Sequence, residues 1–216
     1  MKSEEVRKVE NIQENKMGTQ PIGRLMITMS LLIMISMLVQ ALYNIVDSIF
    51  VAKIHKDALT AVSMAFPIQT LMIAVGAGTG VGIKALLSKS LGEKNFERAN
   101  RPANNGIFLA FISFLLFVVI GLCTTGIFYD FQTDNEAIRQ YGKDYLYIVT
   151  MASLGIFMQM TFENLLQSTG KTIYSMYTQG AGAIINLILD PCLIFGWGPF
   201  PEMGVSGAAL ATVIGQ

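Results

Sequence analysis

Long apolar runs separated by short polar breaks dominate the sequence from Arg24 onward. A helix needs about 20 residues to cross about 30 Å of hydrocarbon. The runs predict spans over residues 24–51, 58–83, 104–128, 145–168 and 172–196, and an incomplete sixth over 204–216. The expected fold is all-α: a six-helix transmembrane bundle over residues 21–216, preceded by a flexible cytoplasmic tail over residues 1–20. The sixth helix has only 13 residues from Gly204 to Gln216, too few to cross. The sequence is therefore expected to be part of a longer polypeptide.

Composition agrees with a lipid environment. Hydrophobic residues make up 52% and charged residues 14%, against about 25% charged in soluble domains. The net charge of zero gives no nucleic-acid footprint. Cys123 and Cys192 lie inside apolar runs and read as packing residues; His55 falls in a short loop and reads as solvated. With the N-terminus inside, 11 of the 15 lysines and arginines are cytoplasmic, and 4 (Lys53, Lys56, Arg139, Lys143) are outside. This bias favours a cytoplasmic N-terminus. Residues 88–101 read as a basic cytoplasmic loop, and residues 130–144 as an outer loop with or without a short surface helix.

Polar residues inside the spans change the picture, because charge is costly in hydrocarbon and faces a bundle interior or watery cavity. Asp47, Glu163 and Asp190 fall within predicted spans, and no lysine or arginine falls deep enough to neutralise them. Gln40, Tyr43, Asn44 and Asp47 follow the i, i+3, i+4, i+7 spacing of one helix face. On the fifth span Asn186 and Asp190, four apart, share a face, with Gln179 two turns earlier. Gln159, Glu163 and Gln167 form a stripe on the fourth. Asp47 and Asp190 both fall about 6–9 Å from the outer boundary at 1.5 Å per residue, so they can face each other. Glu163 lies near the inner end, where a separate site or a water-exposed cavity position fits better.

Two carboxylates and an Asn amide oxygen are hard ligands suited to Na⁺ or a shared proton. Side by side in low dielectric, both cannot ionise cheaply. The competing reading is plain interhelical hydrogen bonding. Pro191 follows Asp190 and removes the hydrogen bond to Leu187 O, which predicts either a kink or an ordinary helix-end proline. Gly76, Gly78, Gly80 and Gly82 give two overlapping GxxxG spacings, a close-packing signal.

Several segments in order resemble the multidrug and toxic compound extrusion (MATE) family. They are QALYNIVDSIFV (40–51), ALTAVSMAFPI (58–68), LLSKSLGEKN (86–95), QSTGKT (167–172), NLILDP (186–191) and GVSGAALAT (204–212). The resemblance implies the N-terminal lobe of a twelve-helix, two-lobe exporter, whose missing partner is the C-terminal lobe of the same protein. Members exchange inward Na⁺ or H⁺ for outward small-molecule drugs, often cationic, in the cell (inner) membrane, and need no other cofactor. By resemblance, Asp47, Asn186 and Asp190 form the cation or proton site with Thr212 joining them, and Gln40, Tyr43 and Asn44 line the same cavity, with Gln179 and Glu163 as further lining residues. Some members bend the first helix at a proline; residues 25–51 contain none.

Two rival readings fit less well. A lipid-linked precursor flippase of related architecture would need a basic cavity for phosphates. An intramembrane aspartyl protease also uses two membrane aspartates, but Asp190 follows Ile-Leu and not Gly-x-Gly.

Overall fold

Lipid supplies no hydrogen bonds, so a spanning backbone must satisfy its own polar groups. The computed structural model, which describes residues 21–216, meets this with helices alone. The tail expected over residues 1–20 lies outside the described residues. The elements are α1 (Ile22–Ile54), α2 (Lys56–Gly92), α3 (Phe96–Gln132), α4 (Glu136–Met151), α5 (Leu154–Ser168), α6 (Thr172–Phe195) and α7 (Val205–Gly215). Four of these, α1, α2, α3 and α6, are long and apolar enough to cross a membrane, and α4 with α5 make a fifth, bent span. The chain is a multi-pass membrane segment, as its hydropathy pattern implies.

The helices outrun their predicted ends. α2 and α3 have 37 residues each, about 55 Å at 1.5 Å per residue. That exceeds the hydrocarbon by about 25 Å. The polar stretch over residues 88–101, expected as a loop, is instead mostly helical turns projecting beyond the apolar layer. The break is only Glu93–Asn95. Lys94 takes a left-handed φ of 55°, and Asn95 caps α3 by accepting from Arg98 N–H at 3.0 Å.

The fourth span also departs from expectation. It is two helices bent by 47°. At the break Ser153 N–H bonds Thr150 O at 3.3 Å, an i→i+3 contact, while the Thr150 hydroxyl turns back to Leu146 O at 2.7 Å. The first takes the place of the regular α-helical bond, and the second adds a side-chain donor of the kind that bends helices. At the end of α3 away from the Glu93–Asn95 turn, α4 begins just after α3 ends. Asp130 on α3 meets Lys143 at 2.8 Å and Arg139 at 3.3 Å on α4. His55 is exposed between α1 and α2, and Cys123 and Cys192 are free thiols.

α2, α3, α4 and α5 form one packed group; α1 lies chiefly against α6, and α6 against α7. The core joins Val62, Met72, Phe117, Leu146 and Phe157 with Tyr129, whose hydroxyl donates to Ala61 O at 2.8 Å. α1 has no proline break and exposes Met34, Leu38, Leu42, Ile45 and Ile49. In water such a surface would be an aggregation site; against lipid it carries no such penalty.

Only one of the two GxxxG stripes packs. A Cβ on Gly76 would meet Met160 and Phe157, and one on Gly80 would meet Asn164, all on α5. Gly78 and Gly82 face open space. Gly80→Leu should therefore destabilise detergent-solubilised protein by about 1–3 kcal/mol, the usual cost of overpacking. Gly78→Leu should stay within about 0.5 kcal/mol of wild type, as an open surface site does. Equal losses in thermal unfolding would contradict the one-sided packing.

Candidate functional site

Glycine on both sides of the α6–α7 contact sets the site. A Cβ on Gly207 would strike Leu193 O, and Gly182 and Gly215 nearly touch through their backbones. Gly215 also lies against Asn186, whose Cβ is 3.1 Å from where a Cβ would stand. Only glycine lets the helices come this close. The approach brings a buried carboxamide on α6 against the backbone of α7. Oriented so that both ends are satisfied, Asn186 donates from its amide nitrogen to Asp190 Oδ2 at 3.0 Å and accepts from Thr212 N–H at 3.2 Å. The Thr212 hydroxyl turns back to Ala208 O at 2.9 Å. Thr212 thus enters the site through its backbone, not its side chain.

Asp190 is fully buried and Asn186 nearly so. Asp47 on α1 is half-buried and close enough to Asp190 for the two charges to interact. Asp47 lies 7 residues before the end of α1 and Asp190 lies 5 before the end of α6, so both sit within about 11 Å of their helix ends. One oxygen of each, Asp47 Oδ1 and Asp190 Oδ1, is buried without a hydrogen-bond partner. Among the described residues no Lys, Arg or His forms an ion pair with either. Buried polar atoms are ordinarily paired. Two carboxylate oxygens, each a similar distance from its helix end, are thus left unsatisfied by the described residues. Asn186, spent on Asp190 and Thr212, holds Asp190 in place; it does not offer its oxygen as the sequence suggested.

Tyr43 is half-buried within electrostatic reach of both aspartates. Gln40 and Asn44 are exposed on the shoulder of the same α1 stripe. Asn44 opens onto a shallow apolar groove with Ser48, Ile49 and Leu59. Tyr145 on α4, buried and bonded by Gln69 Nε2 at 2.9 Å, reaches the charge of Asp47 from the other side. Sequence reasoning missed Tyr145 because the fourth span, expected over 145–168, begins at that residue, whereas the helix itself starts at Glu136. Gln69, a lone amide in an apolar span, was the available signal.

Glu163 and Gln179 meet each other: Gln179 Nε2 donates to Glu163 Oε1. Gln179 lies 11 residues from Asp190 on α6, about 16 Å along the axis. This is a separate polar contact at the other end of the lobe. Lys84, expected at the span's edge, lies within α2 and donates to Gln167 at 2.7 Å, so it neutralises none of the three acids.

The geometry separates positioning from charge. Asn186→Leu removes the one donor to Asp190 and should destabilise the protein by about 1–3 kcal/mol in thermal unfolding, the cost of stranding a buried polar group. Asp47→Asn removes one of two facing like charges and should be neutral or stabilising. A large loss in Asp47→Asn would mean that Asp47 has a structural partner instead.

Comparison with known proteins bears on all of these helices. A family model described as MatE matches residues 33–192. The FAD transporter of Shewanella oneidensis is 31% identical, over 89% of this chain and 43% of its own length. The multidrug export protein MepA of Staphylococcus haemolyticus is 29% identical, over 89% of this chain and 42% of its own. A solved outward-facing multidrug resistance MATE family transporter of the MOP superfamily superposes with TM-score 0.81 at 25% identity, covering 94% of this chain and 44% of that one. The chain spans less than half the length of the curated relatives it matches. The matched stretch runs from α1 into α6 and carries both Asp47 and Asp190, and on that match the chain belongs to the MatE family.

Proposed function

We propose that this chain is one lobe of a cation-coupled antiporter that exports organic, often cationic, molecules by alternating access. The observation that carries the reading is the Asp47–Asp190 pair: two acids in an apolar bundle, at one level, each with an unpartnered buried oxygen. Such a pair favours whatever brings positive charge. Na⁺ or a proton arriving from outside satisfies the orphan oxygens. A cationic cargo competes for the same negative charge from the cavity side. Binding of the one then weakens the hold on the other, which is the linkage that antiport requires. Repeated lobes rocking about a shared midplane cavity supply the access change. The second lobe is the remaining length that the relatives carry.

We place the lobe in a bacterial inner membrane with its N-terminus cytoplasmic. The lysine and arginine bias supports the orientation. The bacterial relatives support the membrane. A flavin nucleotide is the second cargo reading, favoured by the 31% identical FAD transporter.

The test is transport by the full-length gene product in proteoliposomes, with Na⁺ and H⁺ gradients imposed separately. Export of a fluorescent organic cation driven by one gradient, falling at least about tenfold in Asp190→Asn, is the expected result. Export of FAD in place of the cation would select the second cargo. Efflux indifferent to both gradients, or unchanged in Asp190→Asn, would overturn the coupling site.

A further inference from the structure

The stripe of Gly78 and Gly82, which the helix packing leaves unused, lines a groove between α2 and α3. The groove holds about 480 Å³ and is walled by Ile83, Leu86 and Leu109. Arg98 and Arg101 stand at one end of it, and Asn105 lies deeper, next to the Gly106 that packs on Ile83. That end adjoins the Glu93–Asn95 turn, beyond the hydrocarbon. From Arg98 to Leu109 on α3 is 11 residues, and from Gly78 to Ser90 on α2 is 12, so the groove runs about 16–18 Å. It grades from guanidinium at the membrane surface, past the Asn105 amide, to bare glycine backbone and aliphatic side chains.

We propose that this groove is a binding site for an anionic phospholipid, with its phosphate on Arg98 and Arg101 and one acyl chain lying along Gly78 and Gly82. Charge complementarity selects the occupant. Guanidinium groups bind phosphate oxygens in pairs, and basic pockets between membrane helices take acidic headgroups. The wall hydroxyls are already committed: Thr79 donates to Val75 O at 2.7 Å and Ser90 to Leu86 O at 2.9 Å. The polar chemistry left for a ligand is therefore the two arginines at the surface and the Asn105 amide below them, at the depth of a lipid's ester groups, and the remaining lining suits a hydrocarbon tail. Arg98 touches Glu93 only at 4.0 Å, across an exposed surface, a contact too loose to hold it from a phosphate. The open space beside Gly78 and Gly82 has the width that a packed GxxxG stripe would have lost to a neighbouring helix.

The experiment is native mass spectrometry of the full-length protein in detergent, titrated with phosphatidylglycerol, with phosphatidylcholine, and with phosphatidylglycerol in the presence of excess inorganic phosphate. The expected result is tight retention of phosphatidylglycerol over phosphatidylcholine, undisturbed by free phosphate. R98Q and R101Q should each weaken it about fivefold, the effect of one basic residue on an acidic membrane surface. G82L should reduce retention of phosphatidylglycerol by filling the chain's channel. Each variant's thermal unfolding should match wild type, because all three positions are open. Equal retention of both lipids, displacement by inorganic phosphate, or unaltered binding in R98Q/R101Q would each overturn the proposal. Absence of bound lipid because the remaining polypeptide fills the groove would do the same.

Discussion

Hydrocarbon gives a buried carboxylate nothing to bond to, so whatever satisfies Asp47 and Asp190 must come from the protein, from cavity water or from a mobile cation. The bundle supplies only part. Asn186 donates to one oxygen of Asp190, while one oxygen on each aspartate stays buried and unpaired. The rest of the lobe can be read as the means of holding that incomplete arrangement. Glycines 182, 207 and 215 draw α7 onto α6, so that a main-chain N–H of α7 fixes the carboxamide that fixes the acid. α1, which among the described residues packs mostly on α6, brings the second acid.

The two ends of the lobe divide their chemistry. One end has the aspartates, with Tyr43 and Tyr145 around them. The other has the Glu163–Gln179 contact and the Lys84–Gln167 contact, in which each charged group already meets an amide. Charge in the membrane persists where it has a use or a partner. At the first end a carboxylate oxygen on each acid is left without a partner, whereas at the other the orphan atom is the neutral Gln179 Oε1.

Much of the fold was legible because spans in lipid are set by length and apolarity, which are local properties. α1 and α6 lie within three residues of their predicted bounds. The failures came where hydropathy stops reporting. The polar turns of α2 and α3 beyond the hydrocarbon stay helical, and an apolarity reading ends a helix where lipid ends. The 47° bend at Ala152–Ser153 left no proline to announce it. At the site, the i, i+4 spacing of Asn186 and Asp190 was enough to pair them. That Asn186 faces Asp190 with its nitrogen, and that Thr212 takes part through its main chain, depends on the α6–α7 approach, a tertiary fact. The equal spacing of four glycines likewise could not say which two met a neighbour.

The most direct test of the central claim is infrared difference spectroscopy of the full-length protein, following the carboxyl bands as Na⁺ is added or pH is changed. A cation or proton site built on the facing aspartates should give a carboxyl difference band that is lost in both Asp47→Asn and Asp190→Asn. A band unaltered by either substitution, or no response to Na⁺ or pH at all, would contradict it and leave the pair as a packing feature.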